Sequence, residues 1–173
     1  MRRSIRTALV GAVLAGSLAV SAAAADYTAC ADSLQALGLF QGTEQGYNLD
    51  RAPTRAEAAV MLVRLLGEEA DALALEYTAP FTDLESWQKP YIQYLYENGL
   101  TTGTSDTAYA PEQLCSAQMY AAFMLRALDY SEAEGDFAYN DAVAFAQQIG
   151  LYDPAVVDTT EFLRDDAAAA SYT

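Results

Sequence analysis

The sequence predicts an all-α fold, a pseudo-threefold bundle of helix–loop–helix repeats, from three observations. Gly-Leu recurs at Gly38-Leu39, Gly99-Leu100 and Gly150-Leu151, each time closing a stretch with apolar residues at helical spacing. A polar turn and a second helical stretch follow each occurrence. Aligning Tyr47 on Tyr109 also lays Arg64 over Arg126 and Leu66 over Leu128, so the agreement runs through whole units.

The elements follow in order. Arg2, Arg3 and Arg6, the apolar run Ala8 to Val20 and the small residues Ala22 to Ala25 form an export signal, with cleavage expected near Ala25. The run is short and rich in Ala and Gly for a transmembrane helix, though an uncleaved anchor is the competing reading. The first repeat is placed at residues 26–75. Cys30, Leu34 and Leu37 mark its first helix, and a second runs from about Arg55 to Leu66. The second repeat, 76–131, has helices over Lys89 to Asn98 and about Ser116 to Leu128. The third, 132–173, is abbreviated: Ala142, Phe145, Ala146 and Ile149 mark one helix, and an Ala-rich segment to Tyr172 ends it. Glycine after each first helix suits a left-handed cap. Ala58 to Leu66 is apolar nearly all round, so Val60, Met61, Leu62, Val63, Leu65 and Leu66 are expected at the centre. The acidic stretches Glu68 to Ala79 and Ser131 to Asp136 are read as linkers.

Charge narrows the function. None of the 24 acidic residues and three of the nine basic ones fall in residues 1–25, leaving six basic against 24 acidic, a net charge of −18. That field repels nucleic acid and anionic membranes, so neither is an expected partner once the signal is removed. Attraction to an acidic polymer must come from a local site. The absence of histidine removes His-based triads and His-ligated metals. No Asp-x-Asp-x-Asp-Gly calcium loop occurs, and no cofactor or metal is expected. Cys30 and Cys115 allow one disulfide in an oxidising compartment, or serve as two small buried hydrophobes on helices.

Pro53-Thr54-Arg55-Ala56-Glu57 carries the most information. Thr54 and Glu57 have capping-box spacing, a structural role. Arg55 lies in the first helical turn, where a cation opposes the helix dipole, so it either faces a ligand or is solvated or paired. Trp87 is the one tryptophan, either a packing anchor or an aromatic platform. Asp83 is a helix-start acceptor near Ser86 or a ligand acceptor. Gly42 and Gly103 serve tight turns whose N–H groups are also free to meet a ligand.

Thr54-Arg55-Ala56-Glu57, together with Phe81-Thr82-Asp83-Leu84, Trp87 and the helix to Gly99-Leu100, resembles the S-layer homology family over essentially the whole chain after the signal. The resemblance implies a three-repeat bundle that binds a secondary cell-wall polysaccharide, often pyruvylated, in grooves between repeats. It implies ligand roles for Arg55, Asp83 and Trp87, and for Arg164 in Leu163-Arg164-Asp165-Asp166 of the third repeat. A ketal-linked carboxylate suits a guanidinium fork, and a sugar face suits an aromatic ring. The second repeat departs from the pattern with Cys115-Ser116-Ala117-Gln118, which has no arginine, and the first lacks the Phe-x-Asp opening.

The expected function is therefore a secreted, non-catalytic anchor at the cell wall. Two other classes stay open. One is a structural or protein–protein module with a tyrosine patch from Tyr91, Tyr94, Tyr96 and Tyr109. The other is a secreted glycan hydrolase using a carboxylate pair.

Overall fold

A computed structural model describes residues 27–42 and 46–172; the export-signal reading of residues 1–25 lies outside the described residues. The described chain is helical: α1 (Thr28–Ala36), α2 (Arg55–Leu65), α3 (Glu69–Leu73), α4 (Lys89–Glu97), α5 (Ala117–Ala127), a 3-10 turn at Tyr139–Asp141, α6 (Ala142–Gln148) and α7 (Arg164–Tyr172). Among the described residues the one β-like pairing is an isolated antiparallel bridge between Thr54 and Leu114. No described helix is long and apolar enough to cross a membrane.

The three Gly-Leu pairs end α1, α4 and α6 in one way. Gly38, Gly99 and Gly150 have φ of 75°, 70° and 77°, which an L side chain rarely adopts. The following leucine N–H groups then bond back to Leu34, Leu95 and Ala146 carbonyls, as in a Schellman cap.

The helices pack mainly in pairs. α2 lies on α4, α5 on α6, and α7 on α1, with α2 also touching α5. The core between them holds Val60, Met61, Leu62 and Val63 of α2, Phe123 and Leu125 of α5, and the alanines 167–170 of α7. Leu65 and Leu66 are half-buried, not central as the pattern suggested, because α2 ends at Leu65 and the chain turns outward there. The stretch from Glu68 to Ala79 is not a plain linker either. It contains α3, whose Ala72 is fully buried and whose Glu69 ties Arg64 to the Tyr91 hydroxyl.

Both cysteines are free. Cys30 lies half-buried on α1, whereas Cys115 lies just ahead of α5 and not on it, where burial pushes its thiol up to about 12. It behaves as a small hydrophobe.

Docking of helix N-termini onto neighbouring turns fixes the rest of the frame. The first N–H groups of a helix have no partner within it. At α2, Arg55 and Ala56 donate to the carbonyls of Gln113 and Pro111, and Cys115 N–H returns a bond to Pro53. At α7, Arg164 and Asp165 donate to the carbonyls of Arg51 and Leu49. The starts of α2 and α7 are thus each held by the turn ahead of another helix, and their first arginines are delivered into those turns.

Candidate functional site

Thr54 and Glu57 form a complete capping box: Thr54 Oγ1 accepts from Glu57 N–H at 3.2 Å, and the Glu57 carboxylate accepts from Thr54 N–H at 2.8 Å. Ser116 caps α5 through its hydroxyl alone. At α7, Asp166 accepts from Leu163 N–H at 2.9 Å, the part Glu57 plays toward Thr54, and from Asp158 N–H at 2.7 Å, while Leu163 has no side-chain oxygen to play the threonine's part.

The caps aim two arginines alike. Arg55 Nε donates to the Tyr109 carbonyl at 3.0 Å and its Nη2 to the Thr102 carbonyl at 3.1 Å, with the guanidinium 4.5 Å above the Tyr109 ring. Arg164 Nε donates to the Tyr47 carbonyl at 2.9 Å and its Nη2 to the Gln41 carbonyl at 3.4 Å, over the Phe40 ring. Both are almost fully buried, at 6% and 4% exposure. They hold the glycine turns at Gly103 and Gly42 in place while their outer edges line two grooves.

The first groove, about 460 Å³, is lined by Gln41, Gly42, Glu57, Val60, Met61, Arg64, Leu73, Ser86, Trp87, Pro90, Tyr91 and Arg164. Trp87 is half-exposed at its rim, with its indole N–H donating to Glu85 at 2.8 Å. The second, about 330 Å³, is lined by Arg55, Thr102, Gly103, Thr104, Gln113, Met119, Phe123, Arg126 and Tyr139. Here Tyr139, 41% exposed, supplies the aromatic at the rim. The grooves share one plan: a buried arginine, a glycine turn, an apolar helix face with a second arginine, and an exposed ring.

Their charge differs. In the first groove Arg164 meets Glu57 at 3.5 Å, and Glu57 is also paired with Arg51. Burial opposes ionisation of Glu57, yet the Arg51 and Thr54 hydrogen bonds and the Arg164 charge outweigh it and hold the carboxyl below its ordinary range. That is the reverse of what a general acid needs. In the second groove Met119 stands where Glu57 stands in the first. Among the described residues no carboxylate lies within ion-pair distance of Arg55.

The resemblance implied ligand roles for Arg55, Asp83, Trp87 and Arg164, and the structure does not bring these four together. Trp87 shares its groove with Arg164 and Gly42, and Arg55 shares the other with Gly103. Asp83 lines neither groove, and its expected place near Ser86 as a helix-start acceptor is taken by Gln88, which accepts from Glu85 N–H. Asp83 instead accepts from Tyr109 N–H at 2.9 Å and Ala110 N–H at 2.8 Å. Ala110 has φ of 59°, so Asp83 stabilises a strained turn and thereby fixes the carbonyl that Arg55 grips. Burial raises the Asp83 carboxyl, but the two amides and the Arg55 charge outweigh it, and the net shift is downward.

Sequence reasoning missed Tyr139, Phe123 and Met119, and treated Arg64 and Arg126 only as markers of the repeat. Their alignment was itself the available signal, since equivalent positions occupy equivalent grooves. The tyrosine patch expected for a protein-binding module does not form, because Tyr91 and Tyr109 are buried and only Tyr96 of the four is substantially exposed.

Comparison with known proteins adds independent findings. Residues 80–116 match the S-layer homology domain family. The chain is 29% identical over 161 residues to a surface layer protein of Brevibacillus choshinensis, covering 83% of this chain and 14% of that protein. It is 26% identical over 130 residues to the middle cell wall protein of Brevibacillus brevis, covering 73% of this chain and 12% of that protein. It is 40% identical over 81 residues to an endoglucanase of Bacillus sp. (strain KSM-635), covering 47% of this chain and 8% of that enzyme. The chain thus spans well under a fifth of the length of each of these relatives.

Proposed function

Because this chain carries an S-layer homology domain at residues 80–116, we propose that it is a non-catalytic anchoring module of the cell surface, exported by its N-terminal signal, with three repeats closing the bundle. Its ligand is an acidic secondary cell-wall polysaccharide. The named relatives are surface-layer and cell-wall proteins, and the similar part of the endoglucanase is a small fraction of that enzyme, which supports a binding role for the shared region.

The observation that carries the acidic specificity is the second groove's Arg55, which has no carboxylate at ion-pair distance among the described residues, Asp83 acting on it only as a more distant charge. A cation held almost out of water is only partly balanced by a carboxylate beyond ion-pair distance, and a ligand carboxylate arriving beside it adds the direct pair. The Thr102 and Tyr109 carbonyls preorient the guanidinium, so little rotamer freedom is lost on binding. Tyr139 offers a face for the attached sugar. In the first groove Glu57 already balances Arg164, so that groove contributes through Trp87 and hydroxyl contacts to an uncharged sugar. Bulk charge works against any acidic polymer, so the local site must outweigh it.

The test is co-sedimentation of the chain with purified wall sacculi, beside sacculi stripped of secondary polymer and the variants Arg55→Lys and Trp87→Ala. Circular dichroism verifies that each variant is folded. Wild type should pellet with intact sacculi only. Arg55→Lys, which keeps the charge and loses the planar fork, should bind on the order of tenfold more weakly. Equal pelleting by stripped sacculi, or by folded Arg55→Lys, overturns the reading.

A further inference from the structure

A cavity of about 560 Å³, larger than either arginine groove, opens where three helices end: α2 at Leu65 and Leu66, α4 at Asn98 and Gly99, and α5 at Arg126 and Ala127. Arg126 is the one lining residue it shares with the second groove, and it shares none with the first. Its apolar lining includes Leu65, Leu66, Tyr94, Leu100, Ala127 and Tyr130. All of these but Leu100 are half-buried, and Phe145 holds the Tyr130 ring edge-on at 5.1 Å. That size and lining suit the capture of side chains from another molecule.

The rest of the lining is strongly acidic. Glu68, Asp129, Glu132 and Glu134 stand against one cation, Arg126, which is taken by Glu132 and the Leu100 carbonyl. Among the described residues no cation lies within ion-pair distance of Glu68, Asp129 or Glu134. The helix ends add to the same field, since each helix C-terminus carries about half an elementary negative charge. Tyr94 registers it: burial first, then the charges of Glu68 and Asp71, push its hydroxyl upward.

An occupant must therefore bring cations and apolar side chains together. Among the described residues no group is set to hold a metal ion. A second copy of this chain has no cation to offer. Of the six basic residues after residue 25, Arg51, Arg64, Arg126 and Arg164 pair with carboxylates, Arg55 is bound to carbonyls, and Lys89 lies 5.2 Å above the Tyr77 ring. The acidic excess of the chain also repels its own kind and any anionic polymer, and attracts a basic protein. We propose that this groove docks a basic, amphipathic segment of a different protein, its apolar side chains resting on Leu65, Leu66, Tyr94 and Ala127 and its lysines or arginines facing Glu68, Asp129 and Glu134. The site does not depend on the wall-binding grooves.

The test is fluorescence anisotropy and NMR titration of the full chain with a labelled peptide of lysines and leucines in amphipathic order, beside versions with serine for leucine and with glutamate for lysine. The lysine–leucine peptide should bind saturably and shift the Leu66, Leu100, Ala127 and Tyr130 amides. The serine version should bind at least about tenfold more weakly, and the glutamate version not at all. Asp129 has φ of 71° at the position aligned with Gly67, whose φ is 75°, so Asp129→Gly removes a rim carboxylate while easing the backbone. Asp129→Gly combined with Glu68→Gln and Glu134→Gln should weaken binding about tenfold, with thermal melts verifying the fold. Glu76→Gln with Glu161→Gln, two exposed carboxylates outside the groove, should leave it unchanged. No binding of the lysine–leucine peptide, or shifts away from the groove, overturns the proposal. Equal binding of the serine version, or equal loss in the Glu76 and Glu161 variant, does so as well, since attraction would then be to net charge alone. Self-association of the chain that Asp129→Gly abolishes would give the groove to a second copy and overturn it too.

Discussion

Replacing Glu57 by Gln isolates the charge balance of the first groove, because the two side chains have nearly the same shape. Gln retains an oxygen for the Thr54 N–H, so loss of the cap should cost only a few tenths of a kcal/mol. The Arg51 pair is exposed on its arginine side, 41%, and is worth about 0.5 kcal/mol. Arg164 is different: its side chain is 5% exposed, and removing Glu57 leaves it without a carboxylate at ion-pair distance among the described residues. Breaking a buried pair this way costs roughly 3–5 kcal/mol, and the half-buried position of Glu57 reduces that to about 2. The expected destabilisation is therefore about 2–3 kcal/mol, a fall in Tm of roughly 5–10 °C. The pH dependence has a definite sign. The Glu57 carboxyl is lowered in the folded state, so its stabilisation is present above its unfolded value, about 4.3, and is lost as pH falls through the folded value. Urea melts of wild type and Glu57→Gln should thus converge as pH drops below about 4 and separate above it. A difference under 0.5 kcal/mol at pH 7, or a gap that widens in acid, would refute the assignment of Arg164 to Glu57.

Gly103→Ala should destabilise by about 3 kcal/mol, since an added Cβ would lie 2.4 Å from Phe81 and 2.4 Å from the Ser105 carbonyl. Gly38→Ala, with φ of 75° but open space around it, should cost only about 1 kcal/mol; thermal melts of the two variants check the order. Asp83→Asn leaves one oxygen for two N–H groups, so it should loosen the Tyr109–Ala110 turn and weaken wall binding without touching the ligand. Because the Asp83 carboxyl is lowered, binding by wild type should hold at neutral pH and fail as acid protonates that group, which pelleting across pH 3 to 7 would display.

Much of this architecture was legible in short-range patterns. The Gly-Leu pairs marked three helix ends because only a left-handed cap tolerates that position without cost, and spacing alone located the helices on either side. The aligned tyrosines foretold that Tyr47 and Tyr109 occupy equivalent turns, whose carbonyls receive Arg164 and Arg55. Other features had no local signature. α3 is five residues, two of them acidic, and its helical state follows from burying Ala72 against α4 rather than from its own propensity. Asp83 looks like a helix cap in sequence, and only the approach of a turn 26 residues away gives it another task. The partition of Arg55 and Trp87 into different grooves follows from the docking of the helix starts, where Arg55 reaches the turn ahead of α5 and Arg164 the turn ahead of α2. The contrast between Glu57 and Met119 was present in the aligned sequences, but its meaning required knowing that the arginine facing each position comes from elsewhere in the chain.

The central claim is that Arg55 receives a ligand carboxylate, and calorimetric titration of the chain with purified secondary wall polymer, before and after chemical reduction of the polymer's carboxyl groups, tests it most directly. The account predicts saturable binding that reduction abolishes or weakens by at least about 1.4 kcal/mol, tenfold. Unchanged affinity for the reduced polymer would contradict it, since the Arg55 guanidinium would then have no part in recognising a carboxylate.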